Sequence, residues 1–196
     1  MKRFIFFLFI CWSISSCSKS NSGSVNTPPA NGPQVGTKWT YVLEKFDGSG
    51  NLNSTTNVVY TAVSEQTIGS DKWLAVTDPG GSTVFLLSKK ADGLYQYTGA
   101  AGALICKDPA SVNDTYTSKI DGKDEIFTVI SKDTTIHVPY GDQKVYNYRG
   151  DVDGQTQDLI WYKSSAWFVK KEVWIYNSST STSHINSRLS LMNLVF

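Results

Sequence analysis

From Gly36 onward, apolar residues in this chain recur every second position, and that period constrains the fold more than any other feature. Trp39, Tyr41 and Leu43 alternate with Thr40, Val42 and Glu44, and Val58, Tyr60 and Ala62 alternate with Val59, Thr61 and Val63. Similar short runs occupy 72–77, 82–88, 93–98, 115–121, 125–131, 134–138, 143–150, 157–163, 167–176 and 184–195. A period of two puts alternate side chains on opposite faces of a strand, whereas a helix would repeat at 3.6. Between the runs stand Asp47-Gly48, Asp78-Pro79-Gly80-Gly81, Asp92-Gly93, Asp121-Gly122, Tyr140-Gly141-Asp142 and Asp153-Gly154. Asp-Gly flanked by alternating runs is a strong hairpin signal, because glycine accepts the positive φ of a type I′ turn. No window carries a sustained helical pattern, although 100–106 is compatible with a single helical turn. The pattern predicts an all-β chain, a single antiparallel meander of about ten to twelve strands. A sheet of that size curls or splits, into an open or closed barrel or, as the alternative, a two-layer β-sandwich.

Composition narrows the class. Of 196 residues, 40% are hydrophobic and 18% charged, with a formal net charge of +1. That is too apolar for a disordered chain and too near neutral for a basic nucleic-acid binder. Three cysteines in a chain of this length exclude a disulfide scaffold.

The first sixteen residues read as an export signal. Lys2 and Arg3 precede nine apolar residues, Phe4 to Trp12, and then Ser13-Ile14-Ser15-Ser16, small but for Ile14. Nine residues reach only about 13 Å as a helix, short of the roughly 20 residues that a membrane span needs, so the segment reads as a cleaved signal. Ile14-Ser15-Ser16-Cys17 resembles the lipobox of bacterial lipoproteins. The resemblance implies diacylglyceryl attachment to the Cys17 sulfur, cleavage before it, acylation of the new amine and membrane anchoring through those chains. Residues 17–35 then form a lipidated Ser/Asn/Gly/Pro tether, which cannot bury apolar surface, and 36–196 form the all-β domain. Many surface-exported lipoproteins of the Bacteroidota carry acidic residues after the lipidated cysteine. Positions 18–23 hold Lys19 and no acid, which favours an outer-membrane anchor facing the periplasm over display at the cell surface. Removal of the signal leaves Cys106 as the only thiol besides Cys17, and in Leu104-Ile105-Cys106 it reads as a small buried hydrophobe.

The second half carries a further resemblance. Ile136-His137-Val138-Pro139-Tyr140-Gly141 is followed by Val145-Tyr146-Asn147-Tyr148, Trp161-Tyr162 and Phe168-Val169-Lys170-Lys171-Glu172. This order is similar to that of a set of Bacteroidota envelope lipoproteins with a V-x-V-P-x-G-x-F strand and turn, an aromatic pair and a G-x-G-L-V-K-x-E strand. Gly36-Thr37-Lys38-Trp39-Thr40-Tyr41 resembles their opening G-x-x-W-x-Y. The resemblance implies an open or half barrel akin to the lipoprotein-carrier fold of the periplasm. This chain departs from it at Ser165-Ala166-Trp167-Phe168 and at Gln143, where the family tends to have phenylalanine.

Motifs of chemistry are missing. There is no Gly-x-Ser-x-Gly, no Walker loop and no His-Glu-x-x-His, so no catalytic residue, metal or cofactor is expected. His137 and His184 lack ligand spacing. Asp47-Gly48 and Asp151-Val152-Asp153-Gly154 read as hairpin turns, since neither supplies the bidentate glutamate of a calcium loop. Asp124 and Glu125 point to opposite faces of a strand. Lys89-Lys90 and Lys170-Lys171 read as solvated faces. The enriched class is aromatic. Tyr146 and Tyr148 share a face, as do Phe168, Trp174 and Tyr176 with Lys170 and Glu172, while Trp167, Val169, Val173 and Ile175 read as core. Those five aromatics are the candidate ligand platform, for a small molecule, glycan or lipid. The leading reading is a non-catalytic, lipid-anchored β-domain that binds a ligand or partner. The alternatives are a half-barrel carrier of a lipid or acyl chain, and an envelope hydrolase whose site no motif marks.

Overall fold

A computed structural model describes Pro28, Pro29 and residues 32–196. Cys17, the stretch expected to be an export signal and most of the expected tether lie outside the described residues. The chain is all-β, with twelve strands and no helix among the described residues. They are β1 (Lys38–Phe46), β2 (Leu52–Ile68), β3 (Asp71–Thr77), β4 (Thr83–Lys90), β5 (Gly93–Tyr97) and β6 (Gly102–Lys107). The second half supplies β7 (Thr115–Ile120), β8 (Lys123–Val138), β9 (Gly141–Val152), β10 (Gln155–Lys163), β11 (Trp167–Asn177) and β12 (Thr182–Val195).

All twelve belong to one antiparallel sheet in the order β6-β5-β4-β3-β2-β1-β12-β11-β10-β9-β8-β7. The meander thus runs outward on both sides of the β1–β12 pair, and its two edges, β6 and β7, are consecutive in the chain. They meet as a seam, which makes the sheet a nearly closed barrel and rules out the two-layer sandwich. No backbone ladder joins them among the described residues; hydroxyl groups do. The Tyr116 hydroxyl donates to the Ile105 carbonyl at 3.0 Å and accepts from the Lys107 N–H at 3.3 Å. Ser118 Oγ donates to the Leu104 carbonyl at 2.6 Å. An exposed strand edge is a liability for aggregation, and these hydroxyls satisfy part of it.

Two turns have the conformation that Asp-Gly predicts. Asp121 and Gly122 take φ of 49° and 81°, and Asp153 and Gly154 take 51° and 77°, positive at both central positions as a type I′ turn requires. The Asp92-Gly93 signal works otherwise. Gly93 opens β5, where a side chain would collide with the Cys106 carbonyl, so the glycine serves strand approach.

Two expectations need correction. Residues 102–107 form β6 instead of a helical turn, because pairing of Leu94 with Cys106 and Tyr95 with Leu104 captures them. The runs 125–131 and 134–138 are one strand, β8, bent by register shifts between Val129 and Thr134. The bend carries the far end of the β8–β9 hairpin across to β12, where the Tyr140 N–H donates to the Leu191 carbonyl. Val138, Val145 and Leu191 are buried in the same apolar cluster as the barrel core.

A candidate binding site in the barrel interior

Aromatic side chains bridge the walls of the barrel. Tyr41, Tyr60, Phe85 and Phe168 follow one another with ring centroids 5.8, 6.0 and 6.2 Å apart. The Tyr41 hydroxyl closes the circuit by donating to the Phe168 carbonyl at 2.7 Å. Trp39 stacks on Trp167 at 5.9 Å and donates its indole N–H to the Ala166 carbonyl at 2.9 Å. With Val76, Leu87 and Leu189 these rings enclose an apolar chamber of only about 20 Å³. Burial pushes the Tyr41 hydroxyl far above the usual phenol range, so it stays a neutral donor. A second aromatic group stacks Tyr116 on Phe127 and sets Tyr148 beside Tyr146 and Tyr162. Tyr148 is fully buried and donates to the Lys107 carbonyl.

Phe85 and Phe168 of the first group also border a recess of about 340 Å³, opening among the β7–β8 and β9–β10 turns. Phe85, Ile105, Ile120, Val152, Ile160, Phe168 and Val173 line its apolar part. Gln96, Asp121, Lys123, Glu125, Gln157, Asp158 and Lys171 line the rest. Lys171 reaches both spaces and pairs with Asp158 at 3.1 Å, the two side chains being 22% and 15% exposed. Burial alone would lower the Lys171 ammonium, but the Asp158 carboxylate outweighs it and holds it above its ordinary value.

Glu125 is 4% exposed. Its Oε1 has no hydrogen-bond partner, and an unmade hydrogen bond on a buried carboxyl is costly. Burial raises its carboxyl to about 7, and the nearby Asp158 charge adds to that effect against the pull of Lys171. Room for the side chain comes from Gly150. In register, Phe127 of β8 faces Gly150 of β9, which faces Asp158 of β10. A Cβ on Gly150 would overlap the Glu125 carboxyl and touch the Phe127 ring.

The five aromatics of the expected platform do not form one surface. Phe168 lines the interior, Tyr148 is buried within it and Tyr146 stacks beside Tyr148. Trp174 donates its indole N–H to Glu172 at 3.3 Å, on a ladder where Arg188 bonds Glu172 and Glu44 at 2.8 and 3.2 Å. Tyr176 follows beyond it, opposite Ser183. Phe168 leaves the Trp174 face because β11 has an extra residue, Val169, between the Tyr162–Phe168 and Trp161–Lys170 pairs. Such a bulge resets the alternation of side chains. Ile175, read as core, is 43% exposed, near the end of β11 where little packs on it.

Lys171 is likewise not on a solvated face. It alternates with Val169 and Val173, which points it inward, while its neighbour Lys170 lies over the Trp161 ring at 4.2 Å. Glu125, Asp158 and Lys171 were missed as site residues, although each alternates with apolar neighbours: Phe127 and Val129, Ile160 and Tyr162, Val169 and Val173. A lone charge in register with a core stripe was the available signal. Cys106 is fully buried, and burial holds its thiol well above its ordinary value. That makes it an inert packing group, not a nucleophile. His137 sits exposed beside Asp142 at 2.8 Å. Among the described residues no three His, Cys, Asp or Glu side chains gather as metal ligands.

No family model and no curated protein matches the chain. Solved structures align with most of the chain at low identity. A candidate exported protein with a YmcC-like fold from Bacteroides fragilis is 14% identical with a TM-score of 0.46, over 84% of this chain and 98% of that one. A candidate lipoprotein from Parabacteroides distasonis is 18% identical with a TM-score of 0.35, over 83% and 96%. A LolA superfamily protein from Nitrosomonas europaea is 9% identical with a TM-score of 0.24, over 84% and 87%.

Proposed function

We propose that this chain is a non-catalytic binding domain of the cell envelope, held at a membrane by lipid on Cys17, which takes a small amphiphilic ligand into the open end of its barrel. The observation that supports this reading is the recess of about 340 Å³. Its size is that of a small-ligand pocket, and it combines an apolar wall with a few convergent polar groups. An acyl-chain carrier needs a continuous apolar cavity of about 300 Å³ or more, whereas the apolar chamber beyond Phe85 and Phe168 holds about 20 Å³. Of these two interior spaces the mixed one is the larger, so a compact amphiphile suits it better than a long chain.

The test is native mass spectrometry of the full chain purified from its host's membranes. A small molecule should co-purify and be lost from Val173→Trp, which fills the recess. Its persistence in that variant, or its absence from the unsubstituted protein, overturns the binding reading. The anchor is tested separately. Cys17→Ser should move the protein to the soluble fraction or block its processing, and unchanged membrane retention with unchanged mass refutes the lipid.

A further inference from the structure

We propose that the recess selects a ligand whose head group is a hydrogen-bonding cation, such as a primary ammonium, seated against Glu125 with its apolar part along Phe85, Phe168 and Val173. The inference rests on the recess being a binding site and adds the chemistry of the ligand.

Two independent observations lead to it. The first is a surplus of acid. Asp121, Glu125 and Asp158 line the recess against Lys123 and Lys171, and Lys171 is already committed to Asp158 at 3.1 Å. One carboxyl is left over. The second is that this carboxyl is built in without partners. Glu125 is 96% removed from solvent, Oε1 has no donor, and Gly150 is open beneath it so that the group fits. A buried carboxyl without donors is unstable as an anion. It becomes a strong acceptor once a cation arrives. An anionic head would meet the surplus charge, and a neutral hydroxyl could supply only an ordinary hydrogen bond.

Other groups around Glu125 do not meet this need. On the flanking strands Ser118 is turned to the Leu104 carbonyl, and Asp151 is engaged by Arg149 and Thr156. Asp158 and Lys171 also face it, as does Tyr116 of the adjacent strand β7, with Cys106 beside Tyr116 and Lys171, and at the rim stand Asp121 and Lys123. Of these, only Lys171 and Lys123 are cationic.

The test is calorimetric titration of the full chain with octylamine, 1-octanol and octanoate, which share one apolar part and differ in head group. Octylamine is expected to bind at least about tenfold more tightly than octanol, the size of one charge-assisted hydrogen bond, and octanoate most weakly. The amine-to-alcohol ratio should rise between pH 6 and pH 8, because at the lower pH the cation must first displace the proton on Glu125. Glu125→Gln should bring the ratio close to one and flatten its pH dependence, while Asp124→Asn, on the opposite face of the same strand, should retain both. Tightest binding by octanoate, or a ratio that Glu125→Gln leaves unchanged, overturns the proposal while binding itself stands. Failure of all three probes overturns the recess as a binding site, and this proposal with it.

Discussion

The carboxyl of Glu125 lies over Gly150, in the space that any Cβ there would need. A bare backbone position on β9 thus permits a carboxyl from β8 to lean toward Asp158 on β10, and the charge of the recess depends on it. Gly150→Ala is expected to destabilise the fold by about 1–3 kcal/mol, the range for overpacking a filled interior. Adding Glu125→Ala should recover part of that loss, since it removes the carboxyl the new methyl strikes and leaves only the Phe127 ring to shift. Urea denaturation of the two variants checks this, and equal stability of single and double variants would contradict it.

The two buried acids have opposite pH signatures. Glu125 is raised to about 7 by burial and by Asp158, so between its ordinary value and 7 the folded chain binds a proton that the unfolded chain releases. Stability contributed by that proton is present at low pH and lost as pH rises through this window. Glu125→Gln should therefore stabilise the protein at pH 8 by about 3 kcal/mol and change little at pH 4. Burial would also raise Glu172, but hydrogen bonds from Lys170 and Arg188 outweigh it and hold that carboxyl below its ordinary value. Its contribution has the reverse sign, present above the ordinary value and lost as pH falls through the lowered one. Denaturation midpoints from about pH 2 to pH 8 for Glu125→Gln and Glu172→Gln separate the two, the first diverging from the parent above about pH 5 and the second converging on it below.

Lys171 and Asp158 form an ion pair away from bulk water but beside the open recess. Lys171→Met alone leaves Asp158 uncompensated next to Glu125 and should cost about 2 kcal/mol, less than the 3–5 of a fully enclosed pair. The double variant with Asp158→Leu should regain most of the loss. A double-mutant cycle in urea reads the coupling, and additive losses would show that the pair contributes nothing.

At the seam, the Lys107 N–H has the Tyr116 hydroxyl as acceptor, and the Ile105 carbonyl takes the hydroxyl's own proton. Tyr116→Phe removes both bonds and should cost about 1–2 kcal/mol. Hydrogen exchange gives the sharper reading: the Lys107 amide should lose protection while amides inside β8 and β9 keep theirs. Unchanged protection at Lys107 would mean that something other than the hydroxyl closes the barrel there.

What the sequence determined alone is the local grammar. Period-two alternation from Trp39 to the end, and Asp-Gly at 121–122 and 153–154, specify strands and turns because each depends on a residue's own backbone preference and its immediate neighbours. The meander, the approximate strand number and the opposite facing of Asp124 and Glu125 follow from that grammar. What only the tertiary structure decided are the places where one strand answers to another. Residues 102–107 extend because β5 offers them a ladder, Val169 is a bulge because β10 is one residue short beside it, and Phe168 therefore turns inward away from Trp174. Glu125, Asp158 and Lys171 come from three different strands, and no spacing in the chain encodes their meeting. Sheet closure brings them together, and Gly150 is the one position between them where the absence of a side chain makes that meeting sterically allowed.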